Sequence, residues 1–178
     1  WLQGETDAFL QATALQQGEH LLDCTAGFLS DALLASVAVG EAGKVVALEK
    51  QFEIATIIEN GIQTYQGAPE GLEQAMRRIQ IVHVDAVDYL NTCPDGSFDV
   101  VYLDPMFDAQ IVEATNFEAM HGVAARDALT AQWVKEAIRV AKRAVVLKAH
   151  FRSPWFEQYG FVRTIRKSSK FHYGIYQK

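Results

Sequence analysis

The sequence predicts an α/β fold in which a mostly parallel β-sheet ends in a C-terminal antiparallel hairpin. Short apolar segments alternate with longer amphipathic ones, and the short segments are apolar at nearly every position. Such alternation is typical of parallel sheets that helices cover on both faces. Only a short polar link separates the last two apolar segments, which indicates that they pair as a hairpin. Five parallel strands and two hairpin strands give a sheet of seven.

The strands are predicted where valine, isoleucine and leucine are concentrated. The parallel strands are HLLDC at 20–24, KVVALE at 44–49, IQIVHV at 79–84, FDVVYLD at 98–104 and AVVLKA at 144–149. The hairpin strands are FVRTIRK at 161–167 and KFHYGIYQ at 170–177. Because the first five run in one direction, their carboxyl ends are expected at one edge of the sheet.

Helices are predicted between the strands, where apolar residues recur every three or four positions. They cover DALLASVAV at 31–39, QFEIATIIENGI at 51–62, AVDYL at 86–90 and RDALTAQWVKEAIRVAKR at 126–143. The segment 106–125 has weaker periodicity and is long for a connection between a strand and a helix. We therefore expect a functional loop there.

Length and composition predict one domain over residues 1–178. The chain is 49% apolar and 21% charged, as in ordinary globular proteins. No segment reaches the ~18 apolar residues of a membrane span, and the start lacks the features of a signal peptide. Cys24 and Cys93 fit neither a metal site nor a disulfide framework, so we expect a metal-free protein in the reducing cytoplasm. Because the sequence does not begin with methionine, we expect further residues upstream.

The charges are divided unequally along the chain. The net charge is −6, yet residues 139–178 hold ten Lys or Arg and one acid, whereas residues 1–138 hold six bases and twenty-one acids. This asymmetry predicts that a polyanion such as RNA contacts the C-terminal region. The alternative is a solvated hairpin whose basic side chains only keep edge strands from aggregating. The candidate RNA-binding residues are Arg152, Arg166, Lys167 and Lys170.

The ends of the first two parallel strands carry candidate ligand-binding residues, because ligands of open α/β sheets bind beyond the carboxyl ends of the strands. Asp23 ends the first strand, and a turn of small residues precedes a helix that Ser30 or Asp31 opens. Backbone in such a turn can approach a ligand closely. Glu49 ends the second strand and is placed to accept both ribose hydroxyls of a nucleoside. The small residues of the turn are Thr25, Ala26 and Gly27.

The third strand ends at Asp85 and Ala86, where the carboxylate could accept a hydrogen bond from an adenine amine. Each of these acids by itself is explained equally well as a helix cap. Together they would line one crevice in the order that a nucleoside needs.

The nature of the turn favours S-adenosyl-L-methionine over a dinucleotide. A dinucleotide site needs the G-x-G-x-x-G pattern, because its pyrophosphate lies against bare backbone. The segment TAGFLS supplies one glycine, and Asp23 and Asp31 would repel phosphates. S-adenosyl-L-methionine has no phosphate, and its sulfonium and amino groups are cationic, so an acidic turn suits it.

The fourth strand ends in Asp104-Pro105-Met106-Phe107. This segment resembles the (D/N)-P-P-(Y/F) signature of methyltransferases that act on exocyclic amines, with Met106 in place of the second proline. The resemblance implies catalytic roles for Asp104, Pro105 and Phe107. The acid and the proline carbonyl would accept the hydrogens of the amine, and the aromatic ring would stack on a flipped base. The chemistry then depends mostly on proximity and orientation. The alternative for Phe107 is a core aromatic beneath the loop.

A wider resemblance covers about residues 20 to 176. The segments DCTAGFLSDAL, ALEK, IVHVDAV, VVYLDPMF and KFHYGIY resemble, in the same order, the small-subunit (16S) ribosomal RNA guanine-N2 methyltransferase family. The resemblance implies a Rossmann-like methyltransferase sheet and contacts to the donor or the target amine. The residues carried over are Ser30, Asp31, Glu49, Lys50, Asp85, Ala86 and Asp104. The chain departs from the family at Leu29-Ser30, at Lys50 and at Asp85-Ala86.

The sequence thus predicts a methyltransferase that uses S-adenosyl-L-methionine and acts on the exocyclic amine of an RNA base, with guanine N2 of ribosomal RNA as the leading target. One alternative is a methyltransferase for a nitrogen of a small molecule or a protein. Another is a non-catalytic module that binds an adenosyl ligand or RNA. Neither the target nucleotide nor the oligomeric state follows from the sequence.

Overall fold

The computed structural model describes residues 7–69, 71–105 and 128–178 and places seven strands in one sheet. The strands are β1 (His20–Asp23), β2 (Lys44–Glu49), β3 (Gln80–His83), β4 (Phe98–Leu103), β5 (Ala141–His150), β6 (Val162–Thr164) and β7 (Phe171–Gln177). Their order in the sheet is β3-β2-β1-β4-β5-β7-β6. The first five strands are parallel, and β7 pairs antiparallel with both β5 and β6. The predicted fold class is confirmed.

The strand order reverses direction beside β1, which pairs with β2 on one side and β4 on the other. The chain first builds outward to β3 and then returns to start the second half at β4. In open α/β sheets this switch point leaves a crevice at the carboxyl ends of the strands. The two halves of the predicted site, Asp23 on β1 and Asp104 just after β4, therefore lie side by side.

Helices cover both faces of the sheet. The described ones are α1 (Ala8–Thr13), α2 (Ser30–Val39), α3 (Phe52–Thr64), α4 (Leu72–Arg77), α5 (Ala86–Thr92), α6 (Ala131–Val140) and α7 (Trp155–Gln158). Among the described residues, no helix is both long enough and apolar enough to span a membrane.

The core consists of two apolar layers, one on each face of the sheet. Alternation along β4 points Val101 and Leu103 into one layer and Val100 and Tyr102 into the other. All four are at most 1% exposed. Burying a side chain of this size stabilises the fold by about 1.5–3 kcal/mol, so the strands that carry the site rest on a rigid base.

The helix predicted at 126–143 is shorter than expected. Within the described part, α6 begins after Thr130, whose hydroxyl accepts a hydrogen bond from the Trp133 amide, and ends at Val140. Residues 141–143 belong to β5 instead, because Ala141 pairs with Phe98 of β4 and is fully buried, and Arg143 pairs with Glu19 at the amino edge of the sheet. These tertiary contacts outweigh the local preference for helix. The short helices α1, α4 and α7 were not predicted.

Candidate active site

A cleft of about 590 Å³ opens at the carboxyl edge of the sheet, beyond β1 to β5. Its size is within the usual range for sites that bind small molecules and cofactors. All the predicted cofactor-binding residues line it, as do Asp104 and Pro105. Phe107 and the whole of the predicted loop 106–125 lie outside the described residues. The lining residues that had been predicted are Asp23, Thr25, Ala26, Gly27, Ser30, Asp31, Glu49, Lys50, Asp85, Ala86, Asp104 and Pro105.

The turn after β1 is joined to the end of β4 by a backbone hydrogen bond, from the Cys24 amide to the Tyr102 carbonyl at 3.0 Å, and by the hydroxyl group of Thr25. Asp23 Oδ1 accepts hydrogen bonds from the Thr25 amide at 2.9 Å and from Thr25 Oγ1 at 3.2 Å. The same Oγ1 accepts a hydrogen bond from the Asp104 amide at 2.8 Å. Thr25 therefore extends the contact between β1 and β4 beyond their ladder, to the two strand ends that form the centre of the cleft.

The Asp23 carboxyl is almost completely buried, with 1% exposure. Burial raises its pKa from the usual 3.8 to about 7, the nearby charges of Asp31 and Asp104 add to the shift, and the hydrogen bonds from Thr25 oppose it. A cation brought into the cleft would favour the ionised form. Asp23 thus suits a positively charged ligand.

The turn between β1 and α2 is held by Glu49 at the end of β2. Glu49 Oε2 accepts from the Gly27 amide at 3.1 Å, and Oε1 accepts from the Gln51 amide at 2.8 Å. Gly27 and Leu29 both have positive φ, of 47° and 65°, and for leucine this conformation is uncommon. The strained turn lets α2 begin at Ser30, with Asp31 in its first turn. Each Glu49 oxygen keeps capacity for a further donor, such as a ribose hydroxyl.

A lysine that was not predicted as a site residue joins the two halves of the cleft, the turn region after β1 and the end of β4. Lys148 Nζ on β5 lies 2.9 Å from Asp31 Oδ2 and 2.8 Å from Asp104 Oδ2. Tyr102 also donates its hydroxyl to Asp31 Oδ2, at 2.6 Å. The signal was present in AVVLKA, because a lysine inside a buried apolar strand requires a partner for its charge.

Burial and charge compete in this cluster of Asp31, Lys148 and Asp104. Burial raises the pKa of Asp104, and the adjacent Lys148 lowers it, with a net rise. Burial opposes the charge of Lys148, but the carboxylates of Asp104 and Asp31 outweigh it and raise the lysine pKa. The lysine ammonium is the internal cation that allows two carboxylates to approach each other in a site of low polarity.

The adenine end of the predicted site is at β3. Asp85 caps α5, with Oδ1 accepting from the Val87 amide at 2.9 Å, and Oδ2 lies 3.0 Å from Lys50 Nζ. Lys50 favours the ionised form and lowers the pKa of Asp85, although burial opposes the shift. Ala86 lies beside it and is buried. Asp85 is thus both a helix cap and a residue of the cleft, so the two interpretations of this acid are compatible.

Two aromatic side chains of the cleft were also not predicted as site residues. Phe28, next to Gly27, is 76% exposed and lines the cleft, as does Trp133 of the core stripe on α6. An exposed phenylalanine in a turn gives no periodic signal, and Trp133 fits the apolar pattern of its helix equally well. Within the described ranges no group of His, Cys, Asp or Glu side chains could hold a metal ion.

The ten basic residues after position 138 divide into two sets. Arg139, Lys142, Arg143 and Lys148 form ion pairs with carboxylates, and the Lys178 ammonium donates to backbone carbonyls. In the part of the chain that the structure describes, no carboxylate pairs with the other five. These are Arg152, Arg163, Arg166, Lys167 and Lys170, which follow β5 or belong to the β6–β7 hairpin, and we call them the basic hairpin set.

The basic hairpin set lies at the same edge of the sheet as the cleft. His150, the last residue of β5, pairs with Phe171 at the start of β7, and the Phe151 amide donates to the Lys170 carbonyl at 2.9 Å. The turn between β6 and β7 therefore lies beside the carboxyl end of β5, the strand that carries Lys148 into the cleft.

The sheet order and the switch point define a Rossmann-like fold of the kind found in methyltransferases. Solved structures share the fold. A SAM-dependent methyltransferase from Aquifex aeolicus matches with a TM-score of 0.61 and 17% identity, over 94% of this chain and 86% of that one. TrmN from Thermus thermophilus matches with a TM-score of 0.63 and 15% identity, over 96% of this chain and 47% of that one.

The family model described as "Putative SAM-dependent methyltransferase" matches residues 2–178, and the chain belongs to this family. Its methyl donor is S-adenosyl-L-methionine, as the cleft had indicated. A Bacillus subtilis (strain 168) relative, "Uncharacterized protein YpiP", is 42% identical over 99% of this chain and 69% of its own length. Ribosomal RNA small subunit methyltransferase J of Laribacter hongkongensis is 32% identical over 74% of this chain. The chain spans 47% of that protein's length.

Proposed function

We propose that this methyltransferase modifies the exocyclic amine of an RNA base, with guanine N2 of ribosomal RNA as the leading target. The observation that carries the proposal is the place of Asp104. Its carboxylate, 27% exposed, lies in the cleft beside the carboxylates of the donor side, and the Thr25 hydroxyl holds its amide. The relatives named ribosomal RNA small subunit methyltransferase J support RNA as the substrate class.

The chain's own groups fit the methyl donor. Glu49 would hold the ribose, and Asp85 with Ala86 would hold the adenine. The buried carboxyl of Asp23 and the acid Asp31 would face the cationic end, where a phosphate would be repelled. When bound, S-adenosyl-L-methionine supplies a methyl group activated by a neighbouring positive sulfur. The remaining turn residues, Thr25, Ala26, Gly27, Ser30 and Lys50, complete the wall of the cleft.

Asp104 and Pro105 would orient the acceptor nitrogen. Hydrogen bonds from the amine to the Asp104 carboxylate and the Pro105 carbonyl would direct the nitrogen lone pair toward the methyl group. The N–C bond would form as the S–C bond of the sulfonium breaks and the neutral thioether leaves, and the Asp104 carboxylate would accept the one proton that the nitrogen gives up. Most of the acceleration would come from this alignment, because the electrophile is already activated. Phe107 would add a stacking contact to the flipped base.

The basic hairpin set would neutralise RNA phosphates beside the cleft. Its members have no carboxylate partner within the described ranges, so their charge is available to a polyanion. The acidic remainder of the chain would discourage binding elsewhere. Four of the five were predicted to bind substrate: Arg152, Arg166, Lys167 and Lys170.

The test is to identify the modified base. RNA from a strain that lacks this protein is incubated with the purified enzyme and isotope-labelled donor, digested, and examined by mass spectrometry. We expect label on one methylated base, with guanine N2 as the leading position. Label that appears only on protein or small molecules would contradict the proposal, and so would tight donor binding without transfer to any RNA. Asp104→Ala is the control that should incorporate no label.

A further inference from the structure

Aromatic side chains are exposed next to the basic hairpin set. Phe151 is 38% exposed and Phe171 is 47% exposed, although phenylalanine is usually buried in globular proteins. The ring of His150 lies between them, with its centroid 4.5 Å from that of Phe151 and 6.2 Å from that of Phe171. His150, Phe151 and Phe171 together form a surface that we call the aromatic platform.

Positive charge surrounds the aromatic platform. The Arg152 guanidinium lies 5.2 Å from the centre of the Phe151 ring, within the range of a cation–π contact. Arg163 donates to the Phe151 carbonyl at 2.8 Å, and Arg166 donates to the Phe171 carbonyl at 3.4 Å. Arg163 and Arg166 are thus held beside the platform and Arg152 lies over the Phe151 ring, and among the described residues none of the three pairs with a carboxylate.

The aromatic platform is also close to the acceptor side of the cleft. His150 follows Lys148 by two residues on β5, a distance of about 7 Å along the strand. Lys148 itself contacts Asp104. A nucleic acid strand with its target base at Asp104 would therefore bring neighbouring nucleotides over the platform.

We propose that the aromatic platform stacks unpaired bases of single-stranded RNA next to the target nucleotide. Proteins that bind single strands combine basic grooves for the backbone with aromatic rings for the bases. In a duplex both faces of each internal base are already stacked, so the platform would select single-stranded loops or ends. This inference rests on the RNA substrate proposed above and adds the conformation in which the RNA is recognised.

The test compares the binding of a fluorescein-labelled single-stranded oligoribonucleotide and its perfect duplex by fluorescence anisotropy. We expect the protein to prefer the single strand. The double variant Phe151→Leu and Phe171→Leu keeps an apolar surface and removes the aromatic faces. It should bind the single strand about tenfold more weakly or worse, and the duplex with little change. Phe151→Trp should retain binding, and its indole fluorescence should be quenched when a base stacks on it.

Control variants separate stacking from charge and from misfolding. Tyr65→Leu removes an aromatic ring that is 53% exposed beyond the carboxyl end of α3, and it should bind the single strand as the wild type does. The slope of log affinity against log salt should be unchanged in the double leucine variant, because all the basic side chains that meet phosphates are still present.

The outcomes distinguish this inference from the proposed function. If the wild type binds the single strand and the folded double leucine variant binds it equally well, the platform inference is wrong and the RNA substrate stands. If the wild type binds neither RNA, the proposed RNA substrate itself fails, and the platform inference fails with it. Circular dichroism and melting temperature show that each variant is folded.

Discussion

The cleft and the hairpin are both rich in charged side chains but hold them in opposite ways. In the cleft the carboxylates of Asp31 and Asp104 share one ammonium, from Lys148, at 2.8–2.9 Å, and the buried Asp23 is nearly inaccessible. Around the hairpin the cations have no carboxylate partners among the described residues. Charges that are buried and paired are fixed in position, whereas exposed and unpaired charges act over a distance set by salt. The fixed charges of the cleft are suited to aligning bound groups, and the exposed cations of the hairpin are suited to attracting a polyanion.

The largest expected effect is the loss of methyl transfer when the Asp104 carboxylate is removed from the cleft. Asp104→Ala should reduce methyl transfer by at least about 1,000-fold, because the acceptor amine loses the group that orients it. Donor affinity should remain close to that of the wild type. Single-turnover rates with labelled donor, together with calorimetric titration of the donor, measure the two quantities separately. The matched control is Asp88→Ala, which removes an exposed carboxylate near the cleft and should leave the rate unchanged.

Burial of charge in the cleft should make stability depend on pH through Asp23. Its folded pKa of about 7 exceeds the usual 3.8, so the folded state binds the proton more tightly. The contribution of Asp23 to the free energy of unfolding is about 2–4 kcal/mol. It is fully present below about pH 4 and is lost as the pH rises through about 7. Denaturant unfolding at pH 5, 6, 7 and 8 should show this fall. Asp23→Asn should flatten it, and an equal slope in the variant would contradict a buried titrating carboxyl at Asp23.

The donor side of the cleft is tested by Glu49→Ala. Loss of the carboxylate should weaken S-adenosyl-L-methionine binding by about 1–3 kcal/mol, because charge-assisted hydrogen bonds to ribose would be removed. The change also frees the amides of Gly27 and Gln51, so Glu49→Gln serves as the partner variant that retains an acceptor oxygen. Thermal shift with the donor gives the readout. NAD should not change the melting temperature of the wild type or of the variants. Stabilisation by NAD and not by S-adenosyl-L-methionine would contradict the proposed contact between Glu49 and the ribose of the methyl donor.

The smallest expected effect concerns the hairpin. Reversal of Arg166 and Lys167 to glutamate should weaken RNA binding and flatten the slope of log affinity against log salt by about 0.7–0.9 for each phosphate that is no longer neutralised. Donor affinity should not change. The control reverses Lys44 and Lys135, two exposed lysines outside the basic hairpin set. Equal slopes for the wild type and the hairpin variant would show that this surface does not meet RNA.

The sequence predicted the parts of the molecule that local pattern controls. Continuous apolar runs identified the strands, and residues at their carboxyl ends line one cleft because parallel topology brings those ends together. Asp23 and Asp104 are 81 positions apart in the chain, yet the adjacency of β1 and β4 follows from the switch point. The composition of the turn also predicted a cationic ligand in place of a phosphate.

What the sequence did not predict depends on contacts between distant segments. The end of α6 is set by the pairing of Ala141 with Phe98 on β4 and by the ion pair of Arg143 with Glu19, and no local pattern reports these contacts. Lys148 on β5 joins Asp31 of α2 to Asp104 beyond β4, three segments far apart in the chain, so its role emerges only after folding. The roles of Phe107 and the loop around it remain predictions, because they lie outside the described residues.

The hydroxyl of Thr25 has a consequence for the timing of catalysis. It joins Asp23 to the amide of Asp104 while the protein folds, before any ligand arrives. The entropy lost in bringing these groups together belongs to folding and is not lost again in each catalytic cycle. The strand ends that carry Asp23 and Asp104 are therefore already in place when a ligand binds, and no further ordering of these two groups is needed in each cycle.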